Sequence, residues 1–157
     1  LAAVVREVAS RFSEEAARSG CPLEVGAGQP VVGRWDRSRV DQVVTNLLTN
    51  ALKYGAGAPV GLVVLESATH ATLEVRDQGI GVREEDRHRI FERFERAVPH
   101  ENYSGFGLGL WIVHEIVTGL GGNVMVGSSP GKGACFRVLL PRTREPRAGE
   151  WRSAAQA

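Results

Sequence analysis

Asp77-Gln-Gly-Ile-Gly81 follows an alternating strand pattern, and a second glycine cluster, Gly105-Phe-Gly-Leu-Gly-Leu110, leads into an apolar helical pattern. Glycine has no side chain, so the backbone amides of such clusters can approach a ligand closely. Free amides and the dipole at a helix start attract phosphate. The two unlike clusters therefore predict two walls of one nucleotide site, with the charged segment between them as a lid.

The spacing of the glycines excludes two common phosphate-binding loops. In the second cluster, Leu110 stands where a dinucleotide-binding fingerprint has glycine or alanine. A further stretch, Gly127-Ser-Ser-Pro-Gly131-Lys132-Gly133, has three residues between its first two glycines and no Ser or Thr after the lysine. This stretch fails the P-loop pattern and predicts a hairpin turn instead.

Asn46 and Asn50 interrupt an otherwise apolar helical pattern upstream of the glycine clusters. Their i, i+4 spacing places both amides on one helix face. An amide oxygen suits Mg²⁺, which keeps most of its waters and takes its other ligands from phosphates. The alternative is that both side chains merely face solvent. The interruption of an apolar helix favours the ligand interpretation, with Lys53 and Tyr54 one turn further along.

Asp77 ends a strand pattern, and a carboxylate at a strand end can accept a hydrogen bond from the exocyclic amine of adenine. A hydrogen bond to a charged group contributes about 1.5–3 kcal/mol, enough to select one base edge. The alternative is an Asp-x-Gly turn that binds no ligand. Taken alone, the motif leaves both interpretations open.

The segment between the two clusters contains Ile90-Phe-Glu-Arg-Phe-Glu-Arg96. Arg93 and Arg96 could reach a triphosphate, whereas Phe91 and Phe94 could anchor a mobile segment on the core. By itself, however, the segment is typical of an amphipathic helix with a solvated face.

Apolar periodicity predicts the remaining elements. The predicted helices cover a first segment that carries Val4, Val5, Val8, Ala9 and Phe12 and ends at Gly20-Cys21-Pro22, the stretch from an N-cap at Asp36 to Gly55, Arg83–Phe94 and Leu108–Leu120. The predicted strands are Leu23–Val25, Val31–Trp35, Leu62–Leu65, Ala71–Val75, Val124–Gly127 and Ala134–Leu140. Helices and hairpin strands in this order predict a two-layer α/β sandwich with a mixed sheet.

Composition narrows the setting of the chain. Its 157 residues are 43% hydrophobic and 24% charged, which is ordinary for one soluble globular domain. A net charge of +1 gives no general attraction to nucleic acid or membrane, and no apolar run approaches the roughly 20 residues of a membrane span. Cys21 and Cys135 have no metal-ligand spacing and favour reduced thiols in the cytoplasm. Residues 142–157 lack periodicity, which predicts a disordered tail.

The ordered set of motifs is more specific than any one of them. The chain resembles the catalytic ATP-binding domain of sensor histidine kinases in the order and spacing of Asn46-Leu-Leu-Thr-Asn50-Ala-Leu-Lys-Tyr54, Asp77–Gly81, Phe91-Glu-Arg-Phe94 and Gly105–Leu110. The resemblance covers roughly residues 1–141, which would form the catalytic domain. It implies the Bergerat fold, an α/β (α+β) two-layer sandwich whose mixed, mostly antiparallel sheet is covered by helices on one face.

The resemblance also implies roles for individual residues. Asn50 would hold Mg²⁺, Asn46 would lie beside the phosphates, and both Asn46 and Arg96 would serve catalysis. Lys53 and Arg96 would contact phosphate oxygens, and Tyr54 would line the nucleotide pocket. The implied base wall comprises Asp77, Gly79, Ile80 and Gly81, and the implied hinge and cradle of the ATP lid comprises Gly105, Gly107, Leu108, Gly109 and Leu110.

The implied activity is the binding of Mg-ATP and the transfer of its γ-phosphoryl group to a histidine. That histidine would lie upstream, on a dimerisation and phosphoacceptor hairpin of the same parent kinase, and a response regulator would be served indirectly. The resemblance leaves open a membrane-anchored parent. His114-Glu115 lacks the basic residue and the proline that follow a phosphoacceptor histidine, so none is predicted within this chain.

Asn46 separates this prediction from its alternatives. Hydrolytic relatives and the serine kinases that act as anti-sigma factors carry a glutamate at this position. A neutral amide cannot act as the base that such a glutamate provides, which favours transfer to histidine. The alternatives are an ATP-binding interaction module or degenerate kinase without transfer, and an anti-sigma-type protein kinase.

Overall fold

The computed structural model describes residues 1–95, 107–128 and 130–143 of the chain. The helices in these ranges are α1 (Ala2–Arg11), α2 (Ser13–Arg18), α3 (Arg37–Tyr54) and α4 (Gly109–Gly119). The strands are β1 (Leu23–Gly26), β2 (Val60–Glu66), β3 (His70–Arg76), β4 (Asn123–Ser128) and β5 (Ala134–Pro141). None of the helices described is both long and apolar enough to cross a membrane.

The strands form one sheet in the order β1-β2-β3-β5-β4. β1 runs parallel to β2, and the neighbouring pairs β2–β3, β3–β5 and β4–β5 are antiparallel. The predicted mixed, mostly antiparallel sheet is therefore confirmed. β3 is the central strand, paired with β2 on one side and β5 on the other. Asp77 directly follows the last residue of β3, so it lies at the strand ends near the middle of the sheet.

Helices α3 and α4 pack together over one face of the sheet, and α1 packs on α3. Alternation along β3 separates its side chains, because Leu73 and Val75 are buried beneath the helices whereas Glu74 lies on the other face. Full burial of one leucine contributes about 1.5–3 kcal/mol. The largest fully buried side chains include Leu47, Leu48, Leu62, Leu73, Val44, Val113, Val117 and Val138. The predicted two-layer sandwich is confirmed.

The helix-free face of the sheet holds a buried carboxylate. Glu74 is 3% exposed, and its carboxylate accepts hydrogen bonds from Nε of Arg137 (2.7 Å) and Nε of Arg76 (3.2 Å). The hydrogen bonding from Arg76 is the main reason why the pKa of Glu74 is lowered. The two arginines thus satisfy a charge that would be costly to bury alone.

The predicted strand at Val31–Trp35 is wrong. Toward β5, its backbone bonds only the residue that follows the strand: the N–H of Arg34 donates to the carbonyl oxygen of Arg142 (2.9 Å), and the carbonyl oxygen of Val32 accepts from Nε of Arg142 (2.9 Å), among the described residues. The indole Nε1 of Trp35 donates to the carbonyl oxygen of Pro141 (2.7 Å) and fastens the segment by its side chain. The segment runs past the end of β5, so no further strand residues remain to extend a ladder.

The first predicted helix is confirmed but bends into α1 and α2. The break falls at Phe12, whose φ of −94° and ψ of 3° are not helical. At the start of α1, the backbone nitrogen of Leu1 donates to the carbonyl oxygen of Val31 at 2.7 Å. Residues 31–34 therefore contact both Leu1 and Arg142.

The predicted helix at Arg83–Phe94 is also wrong. Two short 3-10 turns, Glu84–Asp86 and Arg89–Phe91, replace it. Ile90 is buried and Phe91 packs against the core, so packing draws the chain inward instead of letting it continue as a helix. Phe94 has a φ of +65°, which an α-helix of L-residues does not allow.

Candidate nucleotide site

Helix α3 carries the two asparagines and is fixed at its start. The Asp36 carboxylate accepts hydrogen bonds from the backbone N–H groups of Ser38 (2.8 Å) and Arg39 (3.2 Å), which confirms the predicted N-cap. The core-facing side of the helix is buried, whereas Asn46 and Asn50 are half-buried at its border. The fold therefore holds both amides at the edge of the core.

The start of α4 brings the second glycine cluster onto these amides. A Cβ atom at Gly109 would lie 3.4 Å from Oδ1 of Asn46 and 4.0 Å from Nδ2 of Asn50. Leu108, the N-cap residue, makes no side-chain capping bond, and Gly107 takes a φ of +69°. The first amides of a helix have no partner inside it. A phosphate is the acceptor that such a helix start favours.

Asp77 lies at the end of β3 and is 8% exposed. Its Oδ1 accepts hydrogen bonds from the backbone N–H groups of Gly79 (2.9 Å) and Ala134 (3.2 Å). Burial raises the pKa of this carboxyl, and the two backbone bonds act in the opposite direction. Both bonds use Oδ1, which leaves Oδ2 as the candidate acceptor for a base amine.

Gly79 joins the first glycine cluster to helix α3. A Cβ atom at this position would overlap the carbonyl oxygen of Tyr54 and would lie 3.1 Å from the Cα of Gly55. Any residue other than glycine would thus collide with the end of the helix. The two glycine clusters meet the same helix, the first at its last turn and the second at its asparagines.

The turn between β4 and β5 also contacts the first glycine cluster, Asp77–Gly81. The N–H of Gly131 donates to the carbonyl oxygen of Ile80 (2.8 Å), and the N–H of Gly133 donates to that of Gly79 (3.0 Å). A Cβ atom at Gly133 would overlap the carbonyl oxygen of Asp77. The predicted hairpin turn is confirmed, but its contacts with the loop were missed. The closely spaced glycines were the available signal of such an approach.

The other predicted site residues are placed as follows. Lys53 and Tyr54 are half-buried at the end of α3, and Nζ of Lys53 lies 4.8 Å from the centroid of the Tyr54 ring. Ile80 is 37% exposed, Gly81 has a φ of +71°, and Leu110 packs against the core. Two further predicted residues, Arg96 and Gly105, lie outside the described part of the chain.

The two phenylalanines predicted to anchor the intervening segment behave differently. Phe91 packs edge-on against Phe136, with ring centroids 6.4 Å apart, and fulfils that role. For Phe94 the prediction is wrong, because its side chain is 62% exposed. The guanidinium of Arg93 lies 4.9 Å from the Phe94 ring and 5.3 Å from the Trp111 ring. We call Arg93, Phe94 and Trp111 the aromatic face.

The residues present fit a magnesium-bound nucleotide. The amide of Asn50 provides an oxygen of the kind Mg²⁺ accepts, and the helix start at Gly109 provides amides for phosphate. The oxygen Oδ2 of Asp77 provides an acceptor for a base amine. At Gly109, the absence of a side chain leaves the helix start open toward the two asparagines.

Comparison with known sequences agrees with this arrangement. Residues 35–144 match the family described as histidine kinase-, DNA gyrase B- and HSP90-like ATPase. The adaptive-response sensory kinase SasA of Prochlorococcus marinus (strain MIT 9313) is 39% identical over 109 residues, which is 68% of this chain and 30% of SasA. The chain thus spans less than a third of the length of this curated relative.

Solved structures show the same likeness in three dimensions. Full-length ShkA in complex with AMPPNP superposes with a TM-score of 0.80 at 30% identity, over 92% of this chain and 31% of ShkA. The mycobacterial sensor histidine kinase MprB gives a TM-score of 0.77 at 30% identity, over 90% of this chain and 95% of the MprB chain. The chain therefore belongs to the histidine kinase-, DNA gyrase B- and HSP90-like ATPase family and, within it, to the catalytic domains of sensor histidine kinases.

Proposed function

We propose that this domain binds Mg-ATP between α3 and α4 and donates the γ-phosphoryl group to a histidine. The acceptor would lie on the dimerisation and phosphoacceptor hairpin of the same parent kinase, which in turn serves a response regulator. The observation that carries the proposal is the contact of Gly109 with Asn46 and Asn50, because it sets a phosphate-attracting helix start against two amides. The complex of the relative ShkA with AMPPNP supports the nucleotide.

Adenine is proposed to bind against Asp77–Gly81. The oxygen Oδ2 of Asp77 would accept a hydrogen bond from the 6-amino group, and the ionised form is the stronger acceptor. Because burial raises the pKa of this carboxyl, acidification protonates it earlier than an ordinary aspartate. Affinity for ATP is therefore expected to fall as the pH drops through that raised pKa.

Phosphoryl transfer depends on positioning and charge neutralisation more than on covalent help from the protein. When bound, Mg²⁺ supplies neutralisation of the phosphate charge. Asn50 would hold this ion, Asn46 would lie beside the phosphates, and Lys53 and Arg96 would contact phosphate oxygens. Gly105 and the first amides of α4 would serve as hinge and cradle of the lid.

The transfer itself needs no base from Asn46. A neutral imidazole nitrogen carries the electron pair that forms the new bond to the γ-phosphorus, while the bond from that phosphorus to the bridging oxygen breaks and ADP leaves. A general base would be required to activate water or a serine hydroxyl, and a neutral amide cannot supply it. Asn46 therefore supports histidine as the acceptor.

The aromatic face is the described surface best suited to the phosphoacceptor hairpin. Phe94 is 62% exposed and is held at a φ of +65°, a conformation that costs a bulky residue free energy. Trp111 is half-buried and lies on α4 two residues beyond Gly109, so the aromatic face borders the phosphate end of the site. Exposed aromatic side chains beside an active site favour a protein partner.

The boundaries and setting belong to the same proposal. Residues 1–141 are proposed to form the catalytic domain and residues 142–157 a tail. The domain is proposed to lie in the cytoplasm. Arg142 lies where the two meet, and its backbone N–H donates to the carbonyl oxygen of Thr69 at 2.9 Å. The free thiols Cys21 and Cys135 are compatible with a reducing compartment.

Transfer of label tests the proposal. The domain is titrated with ATP with and without Mg²⁺, and then incubated with labelled ATP and the cognate hairpin added in trans. An acid-labile, base-stable phosphohistidine on the hairpin is expected. Failure to bind ATP at millimolar concentration would sink the proposal. Binding of ATP without transfer of its phosphoryl group would favour an interaction module or degenerate kinase. Label found on a serine would favour an anti-sigma-type kinase.

A matched pair of α3 variants locates the cation. Asn50→Ala is expected to remove most of the Mg²⁺-dependent part of ATP affinity. Gln42→Ala, an exposed amide on the same helix, is the control and should leave that part unchanged.

A further inference from the structure

The loop that carries Asp77 has little stiffness of its own. Between Asp77 and Val82, Gly79 and Gly81 have no side chains, and Gly81 takes a φ of +71°. Glycine allows the backbone many conformations, so such a loop needs outside partners to keep one shape. The turn between β4 and β5 supplies backbone partners, and the side chain of Ser128 supplies another.

Ser128 closes the far end of this loop. Its Oγ accepts a hydrogen bond from the backbone N–H of Val82 at 2.7 Å, and its hydroxyl donates to the carbonyl oxygen of Gly133 at 2.7 Å. A hydroxyl can act as acceptor and donor at once. Gly133 in turn donates to the carbonyl oxygen of Gly79. One side chain thereby links the Val82 end of the loop to the glycine that lies against Asp77.

Arg87 holds Ser128 from another direction. Its Nη2 donates to the carbonyl oxygen of Ser128, while its Nε is buried and finds no partner within the described part of the chain. An unpaired buried donor is costly. The contact of the guanidinium with the carbonyl oxygen of Ser128 therefore helps to fix this residue beside the loop.

We infer that Ser128 is a positioning residue for adenine recognition. It acts through Val82 and Gly133 and holds the loop in the shape in which Oδ2 of Asp77 meets the base amine. Without the hydroxyl, the N–H of Val82 loses its acceptor, and nucleotide binding must order a freer loop. The inference deepens the proposed function and rests on the proposed role of Asp77.

Two probes separate base recognition from general stability. Mg-ATP carries the base, whereas Mg-tripolyphosphate carries only the charge. Ser128→Ala removes both hydrogen bonds of the hydroxyl and is expected to weaken ATP binding about 3–10-fold while tripolyphosphate binding stays unchanged. Ser128→Thr keeps the hydroxyl and should restore ATP affinity to within about twofold of the wild type.

Ser67 provides a matched control. Its Oγ accepts a hydrogen bond from the N–H of His70 (3.1 Å) and its hydroxyl donates to the His70 carbonyl oxygen (3.3 Å), at the opposite end of β3. Ser67→Ala therefore removes a similar bridge away from the site. It should leave the affinities for both probes unchanged.

Asp77→Asn distinguishes a failure of the inference from a failure of the proposed function. If Ser128 acts through the loop, Ser128→Ala should cost less than about twofold in the Asp77→Asn background, because the two changes are coupled. Three outcomes would overturn the inference. The effects of Ser128→Ala and Asp77→Asn on ATP affinity could be fully additive, Ser128→Ala could weaken the binding of ATP and of tripolyphosphate equally, or Ser128→Ala could leave ATP affinity unchanged. Unchanged ATP affinity in Asp77→Asn would overturn the base-reading role on which it rests.

Discussion

The loop of residues 77–82 is tied to its neighbours mainly by backbone hydrogen bonds, supplemented by the Ser128 hydroxyl, whereas residues 89–95, which include Arg93 and Phe94 of the aromatic face, are tied to theirs by side chains. Asp77 donates its N–H to the carbonyl oxygen of Ala134 at 2.9 Å, and further backbone bonds follow along the loop. The second segment depends on the packing of Phe91 and on an ion pair between Arg89 and Glu95 (2.7 Å) at the surface. The difference teaches that the loop proposed to read the base is fixed through the sheet, while the segment proposed to face the partner depends on a few side-chain contacts.

The largest effect should come from Gly79→Ala, which attacks the backbone-held loop directly. The new Cβ would overlap the carbonyl oxygen of Tyr54, so the loop and the end of α3 must separate. We expect a loss of about 3 kcal/mol in the free energy of unfolding, measured by chemical denaturation, and ATP binding weakened beyond detection. Gly127→Ala, where a Cβ would meet no atom within 4 Å, is the control and should match the wild type in both.

Asp77→Asn should weaken ATP binding about 10–100-fold while the fold persists, because a charged acceptor contributes about 1.5–3 kcal/mol. Titration calorimetry measures this loss. The control is Asp41→Asn, which removes a carboxylate paired with Arg11 on the surface. An Asp77→Asn protein that binds ATP as well as the control does would show that the loop does not read the base.

The pH dependence of stability and of ATP affinity provides a second test of the role of Asp77. Its pKa is raised in the folded state, so its contribution to stability is complete below the unfolded pKa, about 3.9, and is lost as the pH rises through the folded pKa. Relative to Asp77→Asn, the wild type should therefore gain stability on acidification while its ATP affinity falls. Denaturation and binding curves across the acidic range should move in opposite directions.

Phe94→Gly tests the side-chain-held segment. Glycine relieves the left-handed backbone but gives up the contact with Arg93, so the free energy of unfolding should change by less than about 1 kcal/mol. ATP affinity should be unchanged, whereas transfer to the hairpin should fall about fivefold if exposed aromatic contacts dominate the docking energy. Phe91→Ala, which removes a core contact, should instead cost about 3 kcal/mol of stability. Unchanged transfer in Phe94→Gly would remove the aromatic face from the proposal.

The smallest effect is expected from Arg89→Gln, which breaks the ion pair with Glu95 and a longer one with Asp86. The Arg89 side chain is 57% exposed, and surface pairs contribute about 0–1 kcal/mol. Denaturation in low and high salt should show a loss of a few tenths of a kcal/mol that salt abolishes. A loss of several kcal/mol would mean that residues 89–95 are held as firmly as the loop of residues 77–82.

Most of the helices and strands could be predicted because each is specified by the spacing of residues within its own segment. The apolar period of α3, its cap at Asp36 and the alternation of β3 each depend on neighbouring residues. The helix predicted at Arg83–Phe94 failed because burial of Ile90 and packing of Phe91 override the helical spacing of the charges. Such an override involves distant core residues, which a local pattern does not show.

The candidate site likewise has residues that the sequence could predict and contacts that it could not. The glycine clusters and the asparagine spacing pointed to Asp77 and Asn50 because each motif is contiguous. The bridge from Ser128 to Val82 joins residues 46 positions apart, and neither residue is unusual within its own neighbourhood. The collision that makes glycine obligatory at Gly79 likewise depends on Tyr54 at the end of another element. These relations exist only after the chain has folded.

The short segment that contacts both Leu1 and Arg142 has a practical consequence. Val31 binds the first of these residues and Arg34 the second, so the two ends of the sandwich are separated by about the span of a few residues. A domain with adjoining ends can be spliced into a loop of another protein, or circularly permuted, with a short linker. Such a module can be exchanged between host proteins without stretching either connection.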